Sequence, residues 1–412
     1  MATAARPLLV DVHSHAYTPS YLALLRAREH PPRLVNGADG QERLVLSERE
    51  GEAAEASIPQ GGPFRPQDWE REAKLRFMDN HGIDVSIVSL AEPWLDFLSP
   101  REAVETARRL NEELEEYCAA PSSTSKDASD PEPFQPLAKD RLFAFGILPL
   151  VPGVDRADVL AAVEQVRQAS HLRGVIIGTR GCGKGLDDEE LESVYRALSS
   201  AGLTAFIHPH GDLGAASGET DYGHALASGV DLPFETTKAA ARLILSGVFD
   251  RHPDLKLLLA HSAGALPALS SRLASCISHD PRVKDRLQND FRYYLGQLYY
   301  DAIAHGSEEL ALVERVISRA DNFEGRDEEL EYVERVVGRS DLLAPVGVYP
   351  GVERILFGTD HPCIPPQESD RSSRWVSVDD NLDAIGGVPG WGASERERVL
   401  GLNAVELFEL DA

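Results

Sequence analysis

Asp11-Val12-His13-Ser14-His15 places two histidines two positions apart directly after an apolar run. In a strand, residues i and i+2 face the same side, so both imidazoles can aim at one point. Three other apolar runs end in related chemistry: Phe206-Ile207-His208-Pro209-His210, Leu258-Leu259-Ala260-His261 and Leu356-Phe357-Gly358-Thr359-Asp360-His361-Pro362. Neutral imidazoles with one carboxylate suit Zn²⁺ or a similar borderline divalent ion, and a site left with an open position is of the catalytic kind. One such pair is more often structural than metal-binding. Four pieces of this type at the ends of apolar runs are hard to obtain by accident.

The elements that would carry them alternate. Strands are expected at Leu8–His13, Val85–Leu90, Leu142–Pro149, Gly174–Gly178, Thr204–His208, Leu255–His261, Leu298–Ala302 and Arg354–Asp360. Most are nearly continuous apolar runs, as parallel strands buried on both faces should be. Helical periodicity falls between them, at Asp68–His81, Ala103–Ala119, Asp155–Gln168, Asp188–Ala201, Glu235–Val248 and Leu266–Ser278. Eight strands alternating with helices predict an α/β fold, a (β/α)₈ TIM barrel, as one domain over residues 1–412. The histidine-bearing strand ends, numbers 1, 5, 6 and 8, then share the catalytic rim. Three segments exceed a minimal barrel. Residues 16–67 follow the first strand and predict a small cap over the site, 121–136 a flexible Ser/Pro/Asp-rich insertion, and 322–351 an acidic insertion.

Composition excludes several classes. Lys and Arg number 41 against 67 Asp and Glu, a net charge of −26, so nucleic acid is not an expected partner. No apolar run is long enough for a membrane span. The opening residues MATAARPLLVDVHSH lack the apolar stretch of a secretory signal. The four cysteines, Cys118, Cys182, Cys276 and Cys363, form no CxxC pair. A reducing, cytoplasmic setting is therefore expected.

VDVHSH, FIHPH, LLLAHSAG and ILFGTDHP together resemble the metal-dependent amidohydrolase superfamily, in its aminocarboxymuconate-semialdehyde decarboxylase-like branch. Within that branch, segments such as VSLAEPWLDFL, LPFETTKAAARLILSGVFD and GLNAVELF are most similar to the fungal isoorotate (uracil-5-carboxylate) decarboxylases. The resemblance implies a single divalent metal, Zn²⁺ in the first instance, held by His13, His15, His208 and Asp360. It implies a catalytic or orienting role for His261, with Asp360 or a metal-bound water protonating carbon. It implies a non-oxidative decarboxylase of a small cyclic carboxylate, pyrimidine or aromatic, and a homodimer. The alternative is a hydrolase, a lactonase or amidase, using the same ligands to activate water.

An anionic substrate also calls for a cation. Arg272, in SSRLAS, and Arg65, in PFRPQ, are the candidates, since a guanidinium recognises carboxylates bidentately. In some relatives the arginine corresponding to Arg272 enters the neighbouring subunit's site. Glu92 stands where the isoorotate enzymes carry Asn, and Trp94 and Phe97 beside it either wall the pocket or pack the core. Cys363 stands where an aromatic residue often sits. His210 and His361 are expected to support the ligands from behind. Asp301 ends the seventh strand and either hydrogen-bonds a ligand histidine or caps a helix. The stretch from Gly178 to Gly185 nearly spells a nucleotide-binding loop, but position 185 is Gly rather than Ser or Thr. It is expected to be an active-site loop in which Lys184 could face substrate.

Overall fold

The computed structural model describes residues 6–37, 40–46, 64–119, 135–210, 225–325, 350–363 and 374–411. The acidic insertion lies outside the described residues except at its edges, as does the Ser/Pro/Asp-rich insertion but for residues 135 and 136.

Eight parallel strands form one sheet in sequential order: β1 (Val10–His15), β4 (Val85–Ser89), β5 (Leu142–Ile147), β6 (Leu172–Gly178), β7 (Thr204–His208), β8 (Leu257–Leu259), β9 (Tyr299–Asp301) and β10 (Ile355–Leu356). The sheet curls until its edges meet. Val12 N donates to Phe357 O at 3.0 Å, His15 N to His361 O at 2.7 Å and Asp360 N to His13 O at 2.8 Å. The fold is the expected (β/α)₈ barrel. All eight anticipated strands are present, several of them shorter. β8 spans only Leu257–Leu259, and β10 only Ile355–Leu356, because the chain beyond Phe357 turns its backbone donors toward β1.

The core fills the barrel and the space beneath its helices. Val12, Ile87, Phe145, Val175, Phe206, Leu258 and Phe357 are fully buried. The helices start and stop on local chemistry. Asp155 opens Arg156–Gln168 by accepting from Ala157 N, and Gly82, at φ +71°, ends Arg71–His81 in the left-handed region. The segment after β1 holds a helix, Pro19–Arg26, and an antiparallel pair, β2 (Arg33–Asn36) with β3 (Glu42–Val45). Among the described residues, no helix is long and apolar enough to cross a membrane.

Candidate metal centre

β1 delivers His13 and His15 to the C-terminal rim, β7 delivers His208, and the turn after β10 delivers Asp360. Ligand atoms of these four side chains all lie within 4.8 Å of one another. The three rings form a near-equilateral triangle, with centroids 5.1 Å (His13–His15), 5.2 Å (His13–His208) and 5.0 Å (His15–His208) apart. Asp360 Oδ1 sits 3.3 Å from Nε2 of both His13 and His15.

Hydrogen bonds behind the rings fix which nitrogen faces inward. His13 Nδ1 donates to Asp301 Oδ2 at 2.7 Å. His208 Nδ1 donates to Pro209 O at 2.9 Å. His15 Nδ1 donates to Ser89 Oγ at 2.9 Å, whose own proton goes to Ser14 O. In each neutral ring the remaining Nε2 is therefore a bare lone pair. Nε2 of His13 and of His15 are 3.2 Å apart, and His208 Nε2 is buried without a hydrogen-bond partner among the described residues. Three converging lone pairs and a carboxylate repel one another unless a positive charge lies between them. This donor set fits a divalent metal ion.

The electrostatics agree. Burial opposes ionisation of Asp360, yet His13, His15 and His261 hold its carboxyl well below the usual carboxylate range. Burial likewise opposes a charge on His13, but Asp360 and Asp301 push it up to about 10. Burial, helped by the charge of His13, brings His15 down to about 4, and burial with three histidine neighbours takes His208 well below the usual imidazole range. The cage attracts a single positive charge and keeps its other rings neutral.

Asp301 links two parts of the site. Its Oδ2 also accepts from His261 N at 2.9 Å, and its Oδ1 from Ser262 N at 2.7 Å. It receives a ring proton and three backbone donors, Ile303 N being the third, rather than capping a helix. His261, Ser262 and Ala263 are all left-handed, at φ +55°, +52° and +61°, a strained run of the kind found at functional sites. The turn aims His261 at the cage, with Nε2 3.7 Å from Asp360 Oδ2. We expect Asp301→Asn to keep the fold and weaken Zn²⁺ binding about 10–100-fold. Competition with a chromophoric chelator measures this, and unchanged affinity would contradict the role.

The remaining candidates fall into two groups. Near the cage, the Trp94 ring lies 5.7 Å from that of His208 and 4.7 Å from that of His210. Gly178 makes this packing possible, since a Cβ there would come within 2.4 Å of His210 and 2.6 Å of Trp94. His210 stays outside the ligand set; its Nδ1 donates to Thr179 Oγ1 at 3.2 Å, and Thr179 in turn donates to Glu235 at 3.0 Å. Burial and the nearby charges of Asp360, Glu92 and Asp68 all disfavour a thiolate at Cys363, so these three acids gather around it. Arg65 stands beside Asp68, with its backbone N donating to Asp68 Oδ2 at 2.6 Å.

Farther out, Arg272 is exposed on the helix Leu266–His279 and is not brought to the cage of its own chain. Lys184 is exposed and pairs with Glu190 at 2.9 Å and Asp188 at 3.5 Å, so it does not face the site as the loop reading allowed. Phe97 is half-buried beneath Arg28, 4.2 Å from its ring centroid. Sequence reading passed over Lys74, which is fully buried with its Nζ 2.7 Å from His361 Nδ1. The signal was there: Lys74 opens the stripe Lys74, Phe77, Met78, His81, the i, i+3, i+4, i+7 pattern of a buried helix face.

Comparison with known proteins agrees with the fold. Residues 10–287 match the family described as Amidohydrolase. The chain is 26% identical over 308 residues to the decarboxylase yanB of Aspergillus niger, covering 73% of this chain and 70% of that one. It is 25% identical over 356 residues to gamma-resorcylate decarboxylase of a Rhizobium species, covering 83% and 88%. The apo crystal structure of an IDCase from Metarhizium anisopliae superposes with a TM-score of 0.80 at 32% identity, over 99% of this chain and 98% of that one. The chain belongs to the amidohydrolase family, in its decarboxylase branch.

Proposed function

We propose that this chain is a metal-dependent, non-oxidative decarboxylase of a small cyclic carboxylate. The observation that carries the reading is the convergence of three tautomer-fixed Nε2 atoms and the Asp360 carboxylate on one point, with His261 alongside. The decarboxylase relatives support the reaction class. His13, His15, His208 and Asp360 would hold the ion, Zn²⁺ by the chemistry of the donor set. When bound, a divalent ion supplies a Lewis acid and a template for the substrate carboxylate and a neighbouring oxygen.

The chain's own groups do the rest. Loss of CO₂ leaves an electron pair on the ring carbon, and one proton must replace the departing carboxylate there. Asp360, resting as a carboxylate, would first take that proton from the His261 side and then pass it to carbon: its Oδ1 belongs to the cage, while Oδ2 faces His261 Nε2 at 3.7 Å. His261 relays or orients that proton. Trp94 walls the pocket on the β6 and β7 side. Arg65, beside Asp68, would be the intrachain cation for an anionic substrate. Arg272 would have to act on a partner's site in a homodimer, because its own helix turns it to the surface.

The substrate is of isoorotate type, or a hydroxybenzoate if Glu92 selects against the pyrimidine. A glutamate facing the substrate would repel a second anion but accept an N–H or a hydroxyl. The test is chromatography of metal-loaded protein incubated with isoorotate and with 2,6-dihydroxybenzoate, each with a chelator-treated control. Chelator-sensitive uracil or resorcinol is the expected product. A ring-opened acid would mean a hydrolase, and a rate that survives metal removal would end the proposal.

A further inference from the structure

The helix Arg71–His81 opens its buried face with Lys74, which is 0% exposed. Taking an ammonium out of water is expensive, and an apolar residue of similar length would fill the space without that cost. Burial pulls the Lys74 ammonium down to about 8 even though Asp11, Asp68 and Asp360 favour its charge. Among the described residues, its hydrogen bond at 2.7 Å goes to His361 Nδ1. An ammonium only donates, so His361 must accept through Nδ1 and keep its proton on Nε2.

Among the described residues, Lys74 makes the one hydrogen bond to the His361 ring, whose Nε2 is buried without a partner. The ring stacks on Phe77 with centroids 3.7 Å apart and tilts against Trp375 at 4.5 Å. His361 N donates to Thr359 Oγ1 at 3.2 Å, and its O accepts from His15 N at 2.7 Å. The residue before it is Asp360, which sits at φ +55°, a conformation L-residues avoid unless their surroundings impose it. Thr359, on the other flank, is tied to Asp11 by its N at 3.0 Å and its Oγ1 at 2.8 Å.

We propose that Lys74 is a positioning residue for Asp360: by fixing the His361 ring it anchors the far side of the left-handed turn that presents the carboxylate to the three imidazoles. The inference rests on the metal-centre reading above. Among the described residues, Lys74 makes no hydrogen bond to a cage residue; it acts through His361. Loss of the ammonium frees the ring, lets the turn relax and withdraws one ligand of four.

The test is Zn²⁺ binding by the metal-stripped protein in competition with a chromophoric chelator, with near-UV circular dichroism and Tm recorded on the same samples. Folded Lys74→Met should bind Zn²⁺ about 10–100-fold more weakly than wild type, the range expected of a group that orients a ligand. His361→Leu should lose as much, and the Lys74→Met/His361→Leu double variant no more than either single one. His361→Asn keeps an acceptor for Nζ and should stay within about fivefold of wild type. A folded Lys74→Met with wild-type affinity overturns the inference. If Lys74→Met does not fold, the His361 pair decides: equal loss in Asn and Leu overturns it, and a loss confined to Leu supports it. Wild-type protein that binds no Zn²⁺ overturns the metal-centre reading and this inference together.

Discussion

Asp360→Asn is expected to fold normally and to lose turnover by about 10³-fold, within the range general acid–base groups contribute. The substitution is nearly isosteric, and the backbone donor that anchors residue 360, its N to His13 O at 2.8 Å, does not change. The amide oxygen can still face the cage, so metal content should fall only in part. What disappears is the ability to carry a proton. The carboxylate is kept ionised by three histidines against the pull of burial, and its Oδ2 is the oxygen facing His261. A carboxamide can neither take up a proton nor give one back at working pH, whereas a carboxylate can accept one and pass it on. The measurement is kcat for CO₂ release by variant protein reconstituted to the wild-type metal content. Retention of more than about a tenth of the activity would assign the proton to His261 or to water instead.

His208→Ala should remove the metal almost entirely. His208 contributes a bare, buried Nε2 without a hydrogen-bond partner among the described residues, so truncation strands no donor inside the cage. It frees only the Pro209 carbonyl, which accepts from Nδ1. The fold should survive, since Phe206 also packs on Phe145 and Trp94 on His210. Affinity should drop by more than the ~10–100-fold that orienting partners command, because a ligand is lost rather than loosened. Elemental analysis after dialysis reads this directly. Wild type should hold about one ion per chain and the variant less than about a tenth of that. A variant that keeps its ion would show that His208 is not a ligand.

The barrel was legible because parallel strands buried on both faces must be apolar along their length, and runs such as LFAFGI and TAFIH can be little else. The cage residues stood out because polar chemistry at the ends of such runs has no packing reason to be there. Other elements left weaker marks. The β2–β3 pair carries Arg33, Asn36, Glu42 and Arg43 among its eight residues and so lacks an apolar run. The helices Ser307–Ser318 and Val376–Gly387 went unassigned. Lys74 was hidden by its type, since a lysine on an amphipathic helix is ordinarily solvated. Only its place in the buried stripe marks it, and only the fold reveals the ring it holds. Arg272 shows the opposite limit: sequence can propose a guanidinium for a carboxylate, but which chain's site it reaches is a question of assembly.

The edges of the sheet meet between β1 and the end of β10, and three of the four cage residues lie along that seam. Asp11 and Thr359, which face each other across it, are 348 positions apart in the chain. During synthesis the first histidine pair emerges with the opening strand, long before its carboxylate partner exists. A nascent or truncated chain therefore has half a cage and no reason to retain an ion. The complete donor set forms only when the last strand docks against the first, so ion capture stabilises the closed ring alone. The ion would act as a clasp on the finished barrel, and its uptake would report the completion of folding.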